Sequence, residues 1–395
     1  MKQKKRIRAG IIGAGFAANF HFEAVRKVYG VDVDMVGVYS QRRERREEFA
    51  KKRGIIAFDS AESLMDNCEV VHICTPIATH EHFAVMALGR NLYPIVEKPL
   101  TGYWGGGKED FNGEEADKEM VRREALSSVE RILAAEEKSR ARLLYAENWV
   151  YAPAVRKEKE ILEKSGAQIL WMHGEESHSG SHSPTYGYWK HSGGGVMLGK
   201  GCHPLTAALY LKRVEGVTRD GRPIRPKTVS ARVHSITRLA SYIDQGYIRR
   251  GYHDIDDISM MHVVFEDGTL ADIHASDIVL GGIHNWLEVS ANNHRAICNI
   301  NPNNAMLAYT PEERHFRDLY LVEKIETKQG WSCPAPDEDF VTGFPAEMEA
   351  LYRTAAYGDP PETDSFLAAD AVSVIFSAYV SSQNGGKETE IKTYG

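Results

Sequence analysis

The sequence lacks the features that would indicate a secreted, membrane-bound or metal-binding protein. Its five cysteines form no C-x-x-C pair, which argues against both a disulfide framework and structural zinc. An apolar strand pattern begins already at Ile7, which leaves no room for a secretory signal. No apolar run approaches the ~18 residues that a membrane helix needs. We therefore expect a reduced, cytoplasmic protein that binds neither a membrane nor a metal.

The sequence also lacks an excess of basic charge. It carries 48 Lys and Arg against 55 Asp and Glu, a net charge of −7, which argues against nucleic acid as a partner. Apolar content of 43% and charged content of 26% are ordinary for a globular enzyme. Because 395 residues exceed what one hydrophobic core usually supports, we expect two domains.

Strand and helix patterns alternate through the first 150 residues. Apolar strands such as "IRAGIIGAG", "VVHICTP" and "LYPIVEKP" are separated by helical segments such as "FAANFHFEAVRKVYG" and "THEHFAVMALGRN". Such alternation predicts right-handed βαβ units and a parallel sheet. The predicted fold class is therefore α/β, with residues 1–150 forming a doubly wound, dinucleotide-binding Rossmann domain.

The pattern changes after about Tyr151. Segments such as "KTVSARVHSIT" and "SMMHVVFEDGTLADIHASDIV" show the period-two alternation of long strands, and Asp267-Gly268 predicts a hairpin turn between two of them. Residues 151–395 are thus predicted to form an α+β domain for substrate binding and oligomerisation, with a large, mostly antiparallel open sheet. A C-terminal helix at about 363–384 is expected to pack back on the first domain.

Residues 101–119 fit neither pattern. The segment "TGYWGGGKEDFNGEEADKE" is rich in glycine and acid. We interpret it as a mobile surface loop in preference to a lid or an oligomer contact.

A glycine motif between the first strand and the first helix predicts dinucleotide binding. In "GAGFAA", Gly13 permits the tight turn, Gly15 lets a pyrophosphate approach the backbone and Ala18 allows close packing of helix on strand. Phe16 and Ala17 form the start of the helix, where the free backbone N–H groups and the helix dipole favour binding of a phosphate. The motif therefore predicts NAD or NADP as the cofactor.

The end of the second strand bears on the choice between the two cofactors. NAD sites usually place an acid there to hold the ribose 2′-hydroxyl. This chain has Ser40 instead, followed by Arg42 and Arg43. The arginines tilt the choice slightly toward the 2′-phosphate of NADP, but they also suit an exposed helix, so the cofactor is left as NAD(P).

Two distant segments carry the candidate acid–base pair. Lys98 lies at the carboxyl end of a strand, beside the crevice where such sheets bind ligands, and burial and a nearby nicotinamide should lower its pKa. His203, in "SGGGVMLGKGCHPLT", precedes Pro204 at the start of a helix, where the dipole favours a neutral imidazole that accepts a proton. Glycines 193–195 should let the backbone pass close to substrate and nicotinamide.

Three motifs taken in order give the chain a family resemblance. "GIIGAGFAA", "CTPIATHEHFAVMALGRNLYPIVEKPL" and "SGGGVMLGKGCHPL" resemble the glucose–fructose oxidoreductase / inositol dehydrogenase superfamily (Gfo/Idh/MocA). The likeness extends over nearly the whole chain, and the E-K-P tripeptide at the end of a Rossmann strand is its most specific element.

The resemblance implies roles for further residues. Thr75 and Pro76 are expected along the cofactor, with His80 nearby. Glu97 is expected to hold the nicotinamide side, and Lys98 to contact the reacting hydroxyl or carbonyl. The peptide bond after this lysine is often cis in the family. Members also tend to form dimers or tetramers through the open face of the second sheet, so the resemblance implies a homodimer or homotetramer.

One position departs from the family pattern. Relatives commonly read G-G-G-x-x-x-D-x-G-x-H, but the aspartate position here is Gly199, followed by Lys200, while Gly201 and His203 match. The acid that usually accompanies the histidine is missing, which argues against a routine polyol dehydrogenase. Lys200 either binds an anionic substrate or is merely solvated.

The segment "HGEESHSGSHSPTYGYWKH" predicts a substrate-binding loop. Its His178, His182, Tyr186 and Trp189 offer hydrogen bonds and flat faces to a sugar ring, although the two aromatic side chains could instead pack the loop. The histidine spacings fit no usual zinc pattern. The remaining candidate substrate residues are Trp149 in "AENWVYAP", Lys200, His203 and the pair His284 and Asn285.

The leading hypothesis is an NAD(P)-dependent oxidoreductase that transfers hydride between nicotinamide and a ring hydroxyl of a sugar, cyclitol or glycoside. The alternative is an NAD-dependent glycoside hydrolase that oxidises a hydroxyl, eliminates the aglycone and returns the hydride. The missing aspartate, Lys200 and the histidine-rich loop favour that alternative. A remote alternative is a non-enzymatic sugar or nucleotide sensor, against which the retention of both Lys98 and His203 argues.

Overall fold

A parallel sheet organises the first part of the chain. The computed structural model describes residues 4–181, 183, 185–302, 305–321 and 323–395. The first six strands are β1 Arg6–Ile12, β2 Asp32–Tyr39, β3 Ile56–Ala57, β4 Val70–Ile73, β5 Tyr93–Glu97 and β6 Leu144–Ala146. The helices among them are α1 Phe16–Val25, α2 Arg43–Arg53, α3 Ala61–Met65, α4 His80–Gly89 and α5 Lys118–Glu137. The strands lie in the order β3-β2-β1-β4-β5-β6 with parallel neighbours, which is the doubly wound Rossmann order.

A second, larger sheet follows. Its strands are β7 Ile169–Ser177, β8 Pro226–His234, β9 Ile258–Phe265, β10 Leu270–Ser276, β11 His284–Ala291, β12 Arg295–Asn301 and β15 Thr389–Glu390, while β13 Ala308–Thr310 and β14 Gly330–Ser332 form a separate pair. The order is β12-β11-β7-β10-β9-β8-β15, in which the described β7–β10 pair is parallel and the other pairs are antiparallel. The predicted fold class is therefore confirmed.

Helices cover one face of this second sheet. The helices that pack on it are α6 Pro153–Ser165, α8 Val196–Gly199, α9 Cys202–Asp220, α10 Glu338–Val341 and α12 Ser365–Gln383. The other two helices are α7 Trp189–Ser192 and α11 Phe344–Tyr357, of which α11 packs against α1 of the first domain. The hairpin predicted between β9 and β10 is confirmed, because Gly268 takes the left-handed conformation with φ of 82° and its N–H donates to the carbonyl of Phe265.

Helix α12 is the central apolar helix of the molecule. Asp364 caps it by accepting the N–H of Leu367 at 2.8 Å. Its 19 residues have a mean hydropathy of 1.4, so the expectation that no apolar segment reaches the length of a membrane helix was wrong. The fold buries 89% of this stretch, packing it between β8 and α5, which is the environment of a core helix.

Residues 101–119 pack against the second domain. Gly113 lies under the ring of Trp189 and donates its N–H to Asp254 at 2.7 Å, while the indole N–H of Trp189 donates to the carbonyl of Tyr103 at 3.0 Å. The ring of Trp104 covers Gly193. The interpretation as a mobile surface loop was therefore wrong, because Tyr103 and Trp104 are held against Gly193 and Gly113 is held against Trp189 and Asp254.

This packing predicts opposite effects for two glycine-to-alanine substitutions. A Cβ at Gly113 would lie 2.2 Å from Cγ of Trp189, so Gly113→Ala should lower the free energy of unfolding by about 1–3 kcal/mol. A Cβ at Gly89, at the end of α4, would meet no atom within 4 Å, so Gly89→Ala should be neutral or stabilise by up to about 1 kcal/mol. Urea unfolding checks both, and equal effects would contradict the described packing.

Candidate active site

The turn between β1 and α1 leaves its backbone open to a ligand. Gly13 has φ of 110°, and a Cβ there would lie 2.2 Å from the carbonyl oxygen of Cys74, so only glycine fits. Gly15, just before α1, faces open space, because a Cβ there would meet no atom within 4 Å. No side chain caps α1 and its first turn carries no acid, so the N–H groups are available to a pyrophosphate. The turn fits a dinucleotide.

Two other candidate cofactor residues follow β2. Ser40 stands at the strand end, where NAD sites usually have an acid. Its backbone carbonyl accepts a hydrogen bond from Arg46 at 3.4 Å, and Arg46 also forms an ion pair with Asp59. Arg42 stands exposed immediately before α2, and Arg43 pairs with Glu47. The structure thus leaves Arg42 accessible at the edge where a ribose would lie.

Thr75 and His80, which follow β4, form hydrogen bonds within the first domain. Thr75 accepts a bond from the hydroxyl of Thr79 at 2.7 Å. His80 is buried, with its ring nitrogens 3.1 Å from the carbonyl oxygens of Thr75 and Pro99. His80 therefore holds together the loops after β4 and β5, and neither it nor Pro76 lines the cavity described next. The Lys98–Pro99 peptide is cis, as expected.

A cavity of about 670 Å³ lies where the two domains meet. The start of α1 lines it together with the end of β5 and residues of the second domain. Its lining includes Phe16, Ala17, Phe20, Glu97, Lys98, Trp149, Glu176, His178, Tyr186, Lys200, His203, Asn285, Asn301 and Glu347. This volume is within the range of pockets that hold a small ligand. The structure thus brings Lys98 and His203 to one site from separate domains.

Lys98 is surrounded by acids. Its Nζ donates to the carbonyl of Gly199 at 3.1 Å. Burial lowers the pKa of Lys98, but the neighbouring Cys202, Glu176 and Glu97 more than offset that and leave the pKa above its ordinary value. The expectation of a lowered pKa was therefore wrong, because the sequence did not reveal this group of acids. The side chain of Lys98 therefore stays protonated.

His203 is held by a carboxyl group and an aromatic ring. Its Nδ1 lies 2.5 Å from Oε1 of Glu147, and its ring stacks on Trp149 with centroids 5.7 Å apart. Burial lowers the pKa of His203 to about 3, and the charge of Lys98 contributes. His203 is therefore neutral, as the sequence predicted. Its Nε2 lies 3.7 Å from Oε2 of Glu176.

Glu147 places a carboxyl group beside His203, although the sequence has no acid at position 199. It follows β6 directly and is fully buried, and burial raises its pKa to about 8 although Lys98 lowers it. An aspartate at Gly199 has no room, because a Cβ there would lie 2.5 Å from the hydroxyl of Tyr186. The position of Glu147 at the carboxyl end of a Rossmann strand was the signal that sequence reasoning missed.

Lys200 is buried and forms an ion pair. Its Nζ lies 2.6 Å from Oδ1 of Asp277 and 4.9 Å from the ring centre of Tyr186, and both charged side chains are buried. His178 lies 3.4 Å from the same carboxylate, and its Nδ1 accepts the N–H of Gly180. The alternative of a solvated Lys200 was wrong, because its partner acid lies 77 positions away along the chain. Its contact with an anionic substrate stays a prediction, since Lys200 lines the cavity.

Three other substrate candidates lie outside the cavity or the described residues. Trp189 is buried against Gly113 and Tyr379, so it packs the fold, which was the second interpretation of its ring. His284 directs Nε2 to the carbonyl of Leu280 at 3.2 Å and does not line the cavity. His182 is outside the described residues. Among those that are described, no group of three His, Cys, Asp or Glu side chains could hold a metal.

A buried chain of polar groups runs from the cavity into the first domain. Oε1 of Glu97 lies 2.9 Å from Nε2 of His21, whose Nδ1 lies 2.8 Å from Nδ1 of His72. His72 ends the chain on the hydroxyl of Tyr352 at 2.7 Å. Burial raises the pKa of Glu97, but the bond from His21 and nearby positive charge outweigh burial and lower it. Glu97 is thereby fixed as a carboxylate that accepts the N–H of Lys98 at 3.0 Å.

Comparison with curated proteins gives partial matches. A segment of 94 residues, 24% of this chain, is 32% identical to glucose-6-phosphate 3-dehydrogenase of Bacillus subtilis (strain 168) and spans 26% of that protein. A segment of 95 residues is 32% identical to UDP-N-acetylglucosamine 3-dehydrogenase of Acidithiobacillus ferrooxidans and spans 24% of this chain and 29% of that protein. The matched stretches cover less than a third of these relatives.

Solved structures share the fold over the whole chain. GenD2 from gentamicin A biosynthesis, solved with NAD, has a TM-score of 0.79 at 19% identity, over 98% of this chain and 97% of that one. Myo-inositol 2-dehydrogenase from Lactobacillus plantarum has a TM-score of 0.73 at 18% identity, over 98% and 100% of the two chains.

Family models match both domains. The model of the Gfo/Idh/MocA oxidoreductase family with an NAD-binding Rossmann fold matches residues 7–122, and the model of the Gfo/Idh/MocA C-terminal domain matches residues 163–296. Together they span well over half of the chain. The protein with this cavity between its two domains therefore belongs to the Gfo/Idh/MocA family, and its first domain is an NAD-binding Rossmann fold.

Proposed function

We propose that the protein is an NAD(P)-dependent dehydrogenase that acts on a ring hydroxyl of a sugar, cyclitol or glycoside. The observation that carries the proposal is the convergence of Lys98 and His203 on one cavity beside the start of α1. Alcohol oxidation needs a proton acceptor and a hydride acceptor held together around one carbon. The curated relatives are named as dehydrogenases of sugar derivatives, which agrees with this reaction class.

The cofactor would occupy the turn at Gly13 and Gly15 and the first turn of α1, with Ser40, Arg42, Thr75 and Pro76 along its length. Bound NAD(P) supplies the hydride acceptor or donor. Glu97, fixed by His21, borders the end of the cavity where the nicotinamide would lie.

Lys98 and His203 divide the proton chemistry between them. Because its pKa is raised, Lys98 stays an ammonium group that donates a hydrogen bond to the substrate oxygen and stabilises negative charge developing there. His203 is neutral, so its Nε2 takes the hydroxyl proton during oxidation and returns it during reduction. Stacking on Trp149 keeps the imidazole plane fixed.

Glu147 decides which nitrogen of His203 carries the hydrogen. When Glu147 is ionised, it accepts the Nδ1–H of His203 and leaves Nε2 as a proton acceptor. When Glu147 is protonated, it donates to Nδ1 and the histidine hydrogen moves to Nε2, which then accepts no proton. The ionisation of Glu147 thus switches the base on.

The polar lining of the cavity favours a substrate rich in hydroxyl donors. Oε2 of Glu176, Oδ1 of Asn285 and Oδ1 of Asn301 line the cavity and have no hydrogen-bond partner among the described residues. Unpaired buried acceptors are costly unless a ligand supplies donors. The hydroxyls of a sugar or cyclitol supply several at once, and His178 and Tyr186 border the same space.

Two contacts in the cavity weaken the case for the redox-neutral glycoside hydrolase. The missing aspartate favoured it, but Glu147 supplies a carboxyl group to His203, and Lys200 is paired with Asp277. Aryl glycosides distinguish the two reactions, because release of the aglycone without accumulation of reduced nicotinamide would favour the hydrolase. A sensor would show neither reaction.

We also propose a cytoplasmic homodimer or homotetramer. The outward face of the second sheet exposes 42% of Met260 and 53% of Ile297, beside the half-buried rings of Trp171 and Trp286. An open sheet face that exposes apolar side chains among polar ones such as His173, His274 and Glu288 suits contact with a second copy of the chain.

The first test of function replaces Lys98. With NAD and NADP and a panel of sugars and cyclitols, Lys98→Met should lower kcat/KM by about 10²–10³-fold, since the ammonium bond to the developing oxyanion is lost. Lys190→Met is the matched control, because Lys190 is half-buried, does not line the cavity and donates from Nζ to the carbonyl of Glu109 at 3.0 Å, so it should change kcat/KM less than about twofold. Undiminished turnover by Lys98→Met, with reduced nicotinamide as the readout, would refute the proposed role.

The second test follows the pH dependence of oxidation. Because the pKa of Glu147 is raised to about 8, the carboxylate form that activates His203 grows as pH rises through 8, so kcat/KM for oxidation should rise there. Glu147→Gln donates permanently to Nδ1 and should lower kcat/KM by about 10²–10⁴-fold and abolish that rise. A Glu147→Gln enzyme with an unchanged pH profile would exclude this switch.

A further inference from the structure

Glu347 is a buried carboxyl group for which the fold provides no partner. It is the fourth residue of α11, it is 1% exposed, and it lines the cavity between the domains. Within the described part of the chain, neither Oε1 nor Oε2 makes a hydrogen bond. Buried polar atoms are normally paired, so two unpaired oxygens on one side chain indicate a ligand that pairs with them.

The position of Glu347 points to the cofactor side of the cavity. Phe344, at the start of α11, stacks on Phe20 in the middle of α1 with ring centroids 5.3 Å apart, so the two helices pack against each other. The pKa of the Cys74 thiol, at the end of β4, is raised well above its ordinary value by burial and by the charges of Glu97 and Glu347. Glu347 lines the same cavity as Phe16 and Ala17, at the start of α1, and Glu97, at the carboxyl end of β5, which is the edge where such sheets bind dinucleotides.

The protonation state of Glu347 follows from its surroundings. Burial raises the pKa of its carboxyl group well above the ordinary value, and the charges of Glu97 and Glu147 raise it further. Neighbouring carboxyl groups resist simultaneous ionisation. The neutral acid presents one O–H donor and one carbonyl acceptor in a single plane.

We infer that Glu347 binds the carboxamide of the nicotinamide ring through two complementary hydrogen bonds. The acid O–H donates to the carboxamide oxygen, and the acid carbonyl accepts from the carboxamide NH₂. The carboxamide is the one group of the cofactor's reactive ring that offers a donor and an acceptor in one plane. Substrate hydroxyls have other partners, because Lys98, His203 and Glu176 border the remaining part of the cavity. This inference rests on the proposed function, since it requires NAD(P) to bind there.

Binding measurements with three probes test the inference without turnover. The probes are NAD, its 3-acetylpyridine analogue, which replaces the carboxamide NH₂ with a methyl group, and ADP-ribose, which lacks the ring. Glu347→Leu should weaken NAD about tenfold or more and leave ADP-ribose unchanged. The wild-type preference for NAD over the acetylpyridine analogue should shrink by a similar factor.

Two further variants serve as controls. Glu347→Gln keeps a donor and an acceptor in one plane and should bind NAD within about threefold of wild type. Glu349→Gln lies on the same helix outside the cavity, where its carboxylate accepts the N–H groups of Tyr29 and Gly30, and should change none of the three affinities.

The outcomes separate the inference from the proposed function. Equal weakening of NAD and ADP-ribose by Glu347→Leu would indicate a structural role and overturn the inference. An unchanged NAD affinity in Glu347→Leu would overturn it as well, whereas the dehydrogenase proposal would stand. Failure of the wild-type protein to bind ADP-ribose would overturn both.

Discussion

The arrangement at the domain junction depends on the burial of several carboxyl groups around the ammonium of Lys98. Buried charges are stable only when they compensate one another, because the loss of hydration is large. Glu97 and Glu176 keep Lys98 charged against the effect of burial. The charge of Lys98 in turn helps to keep His203 neutral. One cluster of opposite charges thus produces a fixed donor and a fixed acceptor side by side, which is what proton transfer at a hydroxyl requires.

Gly199 links this electrostatic arrangement to the backbone. Its carbonyl accepts the bond from Lys98, and its missing side chain makes room for the Tyr186 ring, against which Lys200 packs. The carboxyl group beside His203 comes from Glu147, in the first domain. The site is therefore built from residues of both domains.

The sequence predicted those features that depend on neighbours along the chain. Alternating strands and helices predicted the Rossmann domain, Asp267-Gly268 predicted a hairpin of the second sheet, and Pro204 predicted the start of a helix at His203. The neutral state of His203 was predicted as well, but burial and the charge of Lys98 are its causes. Features that depend on residues distant along the chain were not predicted. The pairing of Lys200 with Asp277 and that of His203 with Glu147 join positions 77 and 56 residues apart, and no local pattern records them. The raised pKa of Lys98 was not predicted for the same reason. It results from the combined charges of groups on separate segments, such as Cys202, Glu176 and Glu97.

The most direct test of the account is a crystal structure with NAD(P)H and a bound sugar or cyclitol. The account predicts one ring hydroxyl within about 2.6–3.2 Å of both Nζ of Lys98 and Nε2 of His203, with the carbon that bears it facing the nicotinamide. A ligand whose hydroxyls contact only one of these two side chains, or whose ring lies away from the nicotinamide, would contradict it.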